Sequence, residues 1–305
     1  MTIKAAVIQI GSVPFDTEAT IRKIEIHVKK AAENKAQLAV LPEALISGYP
    51  KGVDFGARVG GRSPEGRDEF ARYYESAIEV PSAHTDWLSE ICAEHQIFMV
   101  VGVIERDGGT LYCTSLTFSP EDGLLGKHRK LMPTAMERLI WGFGDGSTLP
   151  VFDTEIGKIG SVICWENYMP MLRMAMYQKG IQLYCAPTAD DSDGWVASMR
   201  HIAREGRCYV LSSCQYMTRG DFPDDHHPIQ GEAPDTIIMR GGSMIVNPLG
   251  EIIAGPIYDG EDIVYADLDL REIIRGKYDF DVVGHYARPD VFLLKVDEGK
   301  KQPVS

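Results

Sequence analysis

Short apolar runs recur along this chain and alternate with amphipathic stretches. KAAVIQI at 4–10, LAVLPE at 38–43 and FMVVGVIER at 98–106 have the length and composition of buried strands. Between the first two runs, residues 17–37 place apolar side chains at helical spacing, with Lys, Arg and Glu at the other positions. This alternation of strands and helices predicts an α/β fold built on a mixed sheet.

The same patterns predict the remaining elements and one uninterrupted domain. Further helices are expected near 67–78, 85–95, 171–179, 195–207 and 271–278, and further strands near 111–119, 124–130, 181–186, 208–216 and 263–270, with a hairpin at 243–255. No Pro/Ser-rich linker or internal repeat divides the chain, so we expect one domain over 1–294 and a polar C-terminal tail over 295–305. Residues 219–241 form a long polar segment without periodicity, which is typical of functional or mobile loops.

Charge and cysteine usage exclude several classes of protein. The net charge of −13 and the pI of about 5.1 disfavour nucleic-acid binding, which needs a basic face. No apolar run reaches the length of a membrane helix, and the N-terminus has neither the length nor the cleavage-type tail of a signal peptide. None of the six cysteines forms a CxxC pair and most lie in apolar runs, so we expect reduced thiols, no metal site and a cytoplasmic location.

Four residues are candidates for chemistry. The apolar run 159–163 reads as a strand that ends on Cys164, Glu43 closes LAVLPE, and Lys130 ends KHRK. Glu137 follows shortly after Lys130, in MERLIW. Three of the four therefore stand at predicted strand ends, where open α/β sheets bind their ligands.

A thiol, an amine and a carboxylate in one place would form a nucleophilic site. A free thiol has a pKa near 8.5, so only about 3% is thiolate at pH 7. A nearby Lys ammonium favours the thiolate, and a carboxylate accepts its proton. The ammonium and the backbone N–H after Cys164 would also stabilise negative charge on a substrate. The residue types alone leave alternatives open, because Cys164 also fits core packing, Glu43 a helix cap or surface acid, and Lys130 a solvated basic tract.

Other motifs in the chain are weaker. DFPDDHHP at 221–228 has metal-ligand residue types without ligand spacing, so an acidic loop is the better interpretation. GFGDGST at 142–148 lacks the GK[ST] of a P-loop, and no GxSxG serine-hydrolase elbow occurs. A papain-like Cys–His pair remains open, because the chain has eight histidines.

Several longer motifs together resemble the nitrilase family. They are LPEALISGYP at 41–50, HRKLMPTAMERLIWGFGDGS at 128–147, GSVICWENYMP at 160–170, LYCAPTAD at 183–190, GGSMIVNPLGEIIAGP at 241–256 and VGHYARPDVF at 283–292. The resemblance covers about residues 4–294. Cys-Trp-Glu resembles the true nitrilases, including plant and bacterial aromatic or arylaliphatic ones, whereas amidase branches more often show Cys-Tyr-Asp.

The resemblance implies a fold, a catalytic set and an assembly. The fold is a four-layer αββα sandwich, which pairs into homodimers and often into larger spirals. The catalytic set is Glu43, Lys130 and Cys164, with Glu137 supporting Lys130, and it needs no metal or organic cofactor. The expected reaction is hydrolysis of a small organic nitrile to the carboxylic acid and ammonia through a cysteine thioimidate and thioester.

The sequence also suggests contacts between subunits, rival functions and residues of the pocket wall. Two apolar stretches, 171–177 and 237–239, are candidate contacts between subunits. The rival functions are an amidase or carbamoyl-type hydrolase with the same Glu-Lys-Cys set, which Cys-Trp-Glu argues against, and a non-catalytic scaffold, which the intact set argues against. The residues beside the motifs that could wall the pocket, although the aromatic ones could equally be core, are Tyr49, Trp141, Trp165, Tyr168 and Thr188.

Overall fold

The computed structural model describes residues 1–301, which form six α-helices and fifteen strands. Helices α1 to α6 are Thr17–Glu33, Pro64–Ser76, Ala83–His95, Pro170–Gln178, Asp193–Gly206 and Arg271–Gly276. Strands β1 to β15 are Thr2–Gln9, Leu38–Val40, Ala57–Arg58, Gly61–Arg62, Phe98–Asp107, Thr110–Ser119, Gly123–Arg129, Val151–Thr154, Gly157–Ser161, Leu183–Thr188, Tyr209–Cys214, Tyr216–Thr218, Ile237–Val246, Ile252–Tyr258 and Asp262–Asp269.

The strands form two mixed sheets and one short hairpin. The first sheet has the order β15-β1-β2-β5-β6-β7, with β1, β2 and β5 parallel. The second has the order β12-β13-β11-β10-β9-β8, with β14 paired to β13 and with β9, β10 and β11 parallel. The β3–β4 hairpin stands apart from both sheets.

Three apolar clusters separate four layers. Helices α1 and α3 cover the outer face of the first sheet, where Ile24 and Leu88 share a buried cluster with strand side chains. The inner faces of the two sheets meet in a second cluster that contains Val7 and Leu211. Helices α4 and α5 cover the outer face of the second sheet, where Met199 is fully buried. The predicted αββα sandwich is therefore confirmed.

The two-sided burial of the strands explains why the apolar runs were easy to find. In β1, Ala6 faces the helix-covered cluster, whereas Ala5 and Val7 face the second sheet. A strand buried on both faces loses the apolar–polar alternation and becomes a continuous apolar run. Helix α1 begins after Asp16, whose carboxylate accepts the N–H of Ala19 at 2.8 Å and so caps the helix.

Every predicted helix and strand has a counterpart, but two loop predictions need correction. The irregular segment expected at 219–241 ends at residue 236, because 237–241 belong to β13 and pair with β12 and β14. Of the expected tail, residues 295–301 run beside the turn at 145–147, where the N–H of Lys301 donates to Asp145 at 2.7 Å. Residues 302–305 of that tail lie outside the described part of the chain.

Both predicted subunit contacts lie largely inside the subunit. In 171–177, Met171 is 69% exposed, but Met176 and most of its neighbours pack between α4 and the second sheet. In 237–239, only Ile237 reaches the surface. The period of an amphipathic helix identifies an apolar face, but it does not say whether a sheet or a second subunit covers that face.

Two further expectations concern membranes and thiols. None of the helices within residues 1–301 combines the length and the hydropathy that a membrane crossing requires. All six cysteines are buried and free, as expected from their apolar surroundings.

Candidate active site

Three loops at one end of the two sheets carry the predicted catalytic residues. Glu43 follows β2, and its backbone lies directly against β5 at Gly102, where a Cβ atom would stand 2.6 Å from the Cα of Glu43. Lys130 follows β7, and its N–H donates to the carbonyl of Cys113 at 2.8 Å. Cys164 begins a short 3-10 turn after β9. All three side chains are buried.

The sequence had suggested that Cys164 ends a strand, but the residue lies on a turn beyond the strand. Strand β9 ends at Ser161, and Val162 still donates to the carbonyl of Cys185 at 3.0 Å. The next N–H, of Ile163, donates to the Glu166 carboxylate at 2.6 Å, so this side chain ends the sheet pairing. Cys164 then has a φ of 50°, in the left-handed region that non-glycine residues rarely adopt. Such backbone conformations concentrate at functional sites.

Lys130 joins two carboxylates in the interior. Its Nζ donates to Oε1 of Glu43 at 2.7 Å and to Oε2 of Glu137 at 2.8 Å. Glu137 also accepts the hydroxyl of Tyr49 at 2.6 Å and the N–H of Thr134 at 2.6 Å. A buried ammonium with two hydrogen-bonded carboxylates is fixed in position, since every displacement would leave a buried charge unpaired.

Burial sets the protonation tendencies of the site. Burial raises the pKa of Glu43 more than the opposing charge of Lys130 lowers it. For Lys130 itself, burial lowers the pKa, but the surrounding anionic groups, Glu43 first, raise it well above the ordinary value. The pKa of the Cys164 thiol is raised by burial and then by Glu43, and Lys130 only partly offsets this. The ammonium alone therefore does not produce a resting thiolate, in contrast to the sequence-based expectation.

The Cys164 sulfur accepts a hydrogen bond from a hydroxyl and lies beside the Glu43 carboxylate. Thr188 donates its hydroxyl to the sulfur at 3.2 Å. Among residues 1–301, the buried Oε2 of Glu43 has no hydrogen-bond partner. A thiol that is protonated at rest needs an acceptor at the moment of attack, and this oxygen is a base made stronger by its raised pKa. None of the eight histidines hydrogen-bonds to Cys164, so a papain-like pair is absent from the described residues.

The five candidate pocket residues fall into two groups. Tyr49 is partly buried against the cluster, Thr188 is fully buried, and Trp141 is buried with its ring 5.6 Å from Nζ of Lys130. Trp165 and Tyr168 are 50% and 41% exposed and meet edge to face with ring centroids 5.7 Å apart. The first group contacts the candidate catalytic side chains, and the second forms an aromatic rim outside the turn.

Four residues that hold the site together were not among the candidates predicted from the sequence. Two of these residues are Asn167, whose amide donates to the carbonyl of Cys164 at 2.8 Å, and Cys113, whose thiol donates to Glu43 at 3.4 Å. The other two are His128 and Glu166, a buried pair with 2.5 Å between Nε2 and Oε1. Three of them stand inside the quoted motifs, but only burial and contacts reveal that they face inward.

Known proteins resemble this chain over nearly its whole length. The carbon–nitrogen hydrolase family model matches residues 4–278. An aliphatic nitrilase of Sinorhizobium fredii is 60% identical, with 99% of this chain and 97% of that protein covered. The chain belongs to the nitrilase family of carbon–nitrogen hydrolases. Other relatives in the family are a bifunctional nitrilase/nitrile hydratase of Nicotiana tabacum, 53% identical over 100% of this chain and 88% of that one, and Nitrilase 2 of Arabidopsis thaliana, 52% identical over 99% and 91%.

Solved structures of the nitrilase superfamily share the fold. Nit3 of Saccharomyces cerevisiae superposes with a TM-score of 0.72 at 25% identity, with 93% of this chain and 96% of that one covered. A carbon–nitrogen hydrolase of Helicobacter pylori superposes with a TM-score of 0.73 at 21% identity, with 95% and 97% covered. At this identity, the second likeness concerns the fold alone.

Proposed function

We propose that this protein hydrolyses a small organic nitrile to the carboxylic acid and ammonia, with Cys164 as the nucleophile. The observation that carries the proposal is the meeting of three separate loops in the interior, where Lys130 donates to Glu43 and Cys164 lies beside the Glu43 carboxylate. Full-length relatives that are 51–60% identical and named nitrilases support the choice of a nitrile. A non-catalytic scaffold has no need to keep this set buried and intact.

The first half of the reaction forms a thioimidate. Oε2 of Glu43 takes the thiol proton of Cys164 as the sulfur attacks the nitrile carbon. A C–S bond forms, one π bond of the nitrile breaks, and the nitrogen takes up the proton that Glu43 removed from the thiol, which restores Glu43 as a base. Lys130 and the backbone N–H of Trp165 stabilise the charge that develops on this nitrogen.

The second half releases the two products. A water molecule activated by Glu43 adds to the thioimidate carbon, and the tetrahedral intermediate expels ammonia to leave a thioester. A second water then cleaves the C–S bond, which yields the carboxylic acid and restores the thiol. Glu137 does not contact the reacting carbon in this scheme. It holds Lys130 between two carboxylates, while Tyr49 and Thr134 hold Glu137.

Nitriles and amides should differ strongly as substrates. A nitrile has no N–H to recognise, whereas an amide brings an NH₂ and a carbonyl that need placed partners, and a site without them loses affinity. We expect the kcat/KM of an amide to fall below that of the matching nitrile by roughly two orders of magnitude, or about 2.7 kcal/mol. Ammonia release from paired nitriles and amides measures this. Equal values for a pair would move the protein to the amidase branch.

The choice among nitriles needs its own comparison. The rim of Trp165 and Tyr168 favours an aromatic or arylaliphatic nitrile, with a minor share of amide product. Two relatives, however, are named an aliphatic nitrilase and a bifunctional nitrilase/nitrile hydratase. The panel therefore includes an arylacetonitrile and an alkyl nitrile of similar length, with acid, amide and ammonia measured for each. A higher kcat/KM for the alkyl nitrile would overturn the aromatic preference.

We also propose a cytoplasmic location and a homo-oligomeric assembly. Six free, buried thiols fit the reducing cytoplasm. A homodimer or a larger spiral buries apolar surface between its subunits. The C-terminal segment has such a surface, because Phe292 and Leu293 are 75% and 92% exposed. The side chains of Val291 and Tyr286 beside them are also exposed. We assign this segment, 286–293, to the contact between subunits.

Light scattering tests the assembly. Wild-type protein at micromolar concentration should exceed the 33.8 kDa of one chain by a factor of two or more. Introducing a buried charge opposes association, so Leu293→Asp should shift the population toward the single chain. Ile26→Asp, at an exposed position on α1, is the control and should leave the mass unchanged. A fully active single chain would contradict the proposed assembly.

A further inference from the structure

One buried carboxylate joins the loop of the nucleophile to the loop of the lysine. Glu166 is 1% exposed and accepts the N–H of Ile163 at 2.6 Å and the N–H of Leu131 at 2.9 Å. Ile163 directly precedes Cys164, and Leu131 directly follows Lys130. The two loops come from different sheets, so the carboxylate ties the first sheet to the second at the position where the chemistry is proposed.

His128 completes this connection as a cation. Its Nε2 lies 2.5 Å from Oε1 of Glu166, and its Nδ1 lies 2.5 Å from the carbonyl oxygen of Thr148. A carbonyl oxygen only accepts, so Nδ1 carries a hydrogen. Both Glu166 oxygens accept backbone N–H groups, which fits an ionised carboxylate that also accepts a hydrogen from Nε2. The contacts therefore fit an imidazolium paired with a carboxylate.

The surroundings of the ring agree with this charge state. Burial lowers the pKa of His128, but the Glu166 charge and the two hydrogen bonds raise it by more. Neither His128 nor Glu166 hydrogen-bonds to the side chains of Cys164, Lys130, Glu43 or Glu137 within residues 1–301. The pair therefore cannot exchange a proton directly with the reacting groups, and it acts only through the backbone on either side of them.

We infer that the buried His128–Glu166 ion pair is a clamp that fixes the separation between the Cys164 sulfur and the Lys130 ammonium. The inference rests on the proposed nitrile hydrolysis, in which both groups act on the same C≡N unit. A displacement of about 1 Å between such groups can reduce the rate about 100-fold. His128 and Glu166 are positioning residues, because neither touches the substrate or the reacting atoms.

Two substitutions break the clamp in different ways. Glu166→Gln keeps the shape but places an NH₂ group against a backbone N–H, so one of the three hydrogen bonds is replaced by a repulsive contact. His128→Gln removes the positive charge and leaves Glu166 buried without its cation. We expect kcat to fall about 10- to 100-fold in both variants, while KM stays within about threefold because the pocket side chains are retained.

The matched control is Glu261→Gln. Glu261 also accepts a backbone N–H, of Gly11, and a cation, Lys23, but it lies far from the Cys164 turn in the chain and touches none of the catalytic residues. Its kcat should stay close to the wild-type value. Circular dichroism and size exclusion measure the fraction of folded protein before each assay. A loss of folded protein is thereby separated from a loss of catalytic rate.

Alkylation by iodoacetamide gives a readout that a merely structural role would not produce. Loss of the clamp should slow alkylation of Cys164, read by peptide mass spectrometry, by about tenfold, because the thiol loses its aligned lysine and base. Partial unfolding would do the opposite and speed alkylation of all six buried thiols. If Glu166→Gln does not fold, the alkylation rate of His128→Gln tests the clamp.

Two results would overturn the clamp. The first is wild-type Cys164 alkylation together with a kcat within about twofold of wild type in a folded variant. The second is faster alkylation of all the thiols in step with the loss of activity, which would mean that the pair only stabilises the fold. A wild-type protein that fails to hydrolyse nitriles would refute the proposed function alone, because alkylation needs no nitrile and still tests the clamp.

Discussion

Cys164→Ala is expected to lose nitrile hydrolysis by about 10⁴-fold or more, to the background of the ammonia assay. Cys164→Ser should be nearly as inactive, because a hydroxyl ionises far less readily than a thiol and Glu43 is no stronger a base in the variant. Both proteins should fold, since a small buried side chain is replaced by one of similar or smaller size. With a slow substrate, mass spectrometry of the wild type should find the acyl adduct on Cys164.

The control for this experiment is another buried thiol. Cys92 lies on α3 in the cluster between the helices and the first sheet, away from Glu43 and Lys130. Cys92→Ala should retain normal kcat with a modest loss of stability. Normal turnover by either Cys164 variant, or an adduct on Cys185 or Cys208, would end the assignment of the nucleophile.

Glu43→Gln is expected to reduce kcat by about 10²- to 10⁴-fold for a different reason. The amide retains the shape and can still accept the Lys130 hydrogen bond that Oε1 receives at 2.7 Å. What it loses is the second oxygen as a base, because an amide NH₂ cannot take a proton from the thiol. Initial rates of ammonia release at saturating nitrile measure the effect.

The pH dependence of kcat/KM tests whether Glu43 acts as a base or only has a structural role. In the wild type, kcat/KM should fall as the pH drops through the pKa of Glu43, which lies above the ordinary value of 4.5 because burial raises it. Protonation removes the base, so the loss is on the acid side, and Glu43→Gln should lack this limb. Glu105→Gln, another buried carboxylate in an ion pair, is the control and should keep the limb. A Glu43→Gln enzyme with more than about a tenth of wild-type kcat would place the base elsewhere.

The position of each element was largely predictable, and the reason is local. Strands such as β1 and β5 are buried on both faces, so they read as continuous apolar runs, and α1 has a strong helical period after a capping Asp16. The short β3–β4 hairpin and β12 were not predicted, because, unlike the equally short β2, they do not lie in a continuous apolar run. The sheet order also had no local signal, since it pairs strands far apart in the chain.

The candidate site shows the same division. Glu43, Lys130, Glu137 and Cys164 were found because they stand in long motifs, and the structure places them together. The exposure of Trp165 could not be predicted, because the neighbouring residues in the sequence do not indicate whether its side chain lies at the surface or in the core. The thiol's raised pKa was also not readable, since burial outweighs the attraction of Lys130 only once both distances and solvent access are known.

The sequence by itself determined the fold class, the element order and the candidate site residues, because periodicity and motifs are local properties. Only the tertiary structure decided that Cys164 occupies a left-handed turn and that Lys130 bridges Glu43 across 87 positions of the chain. It also decided that His128 and Glu166 form a buried pair. Hydrogen-bond partners and burial are set by how distant segments pack, and no pattern within one segment contains that information.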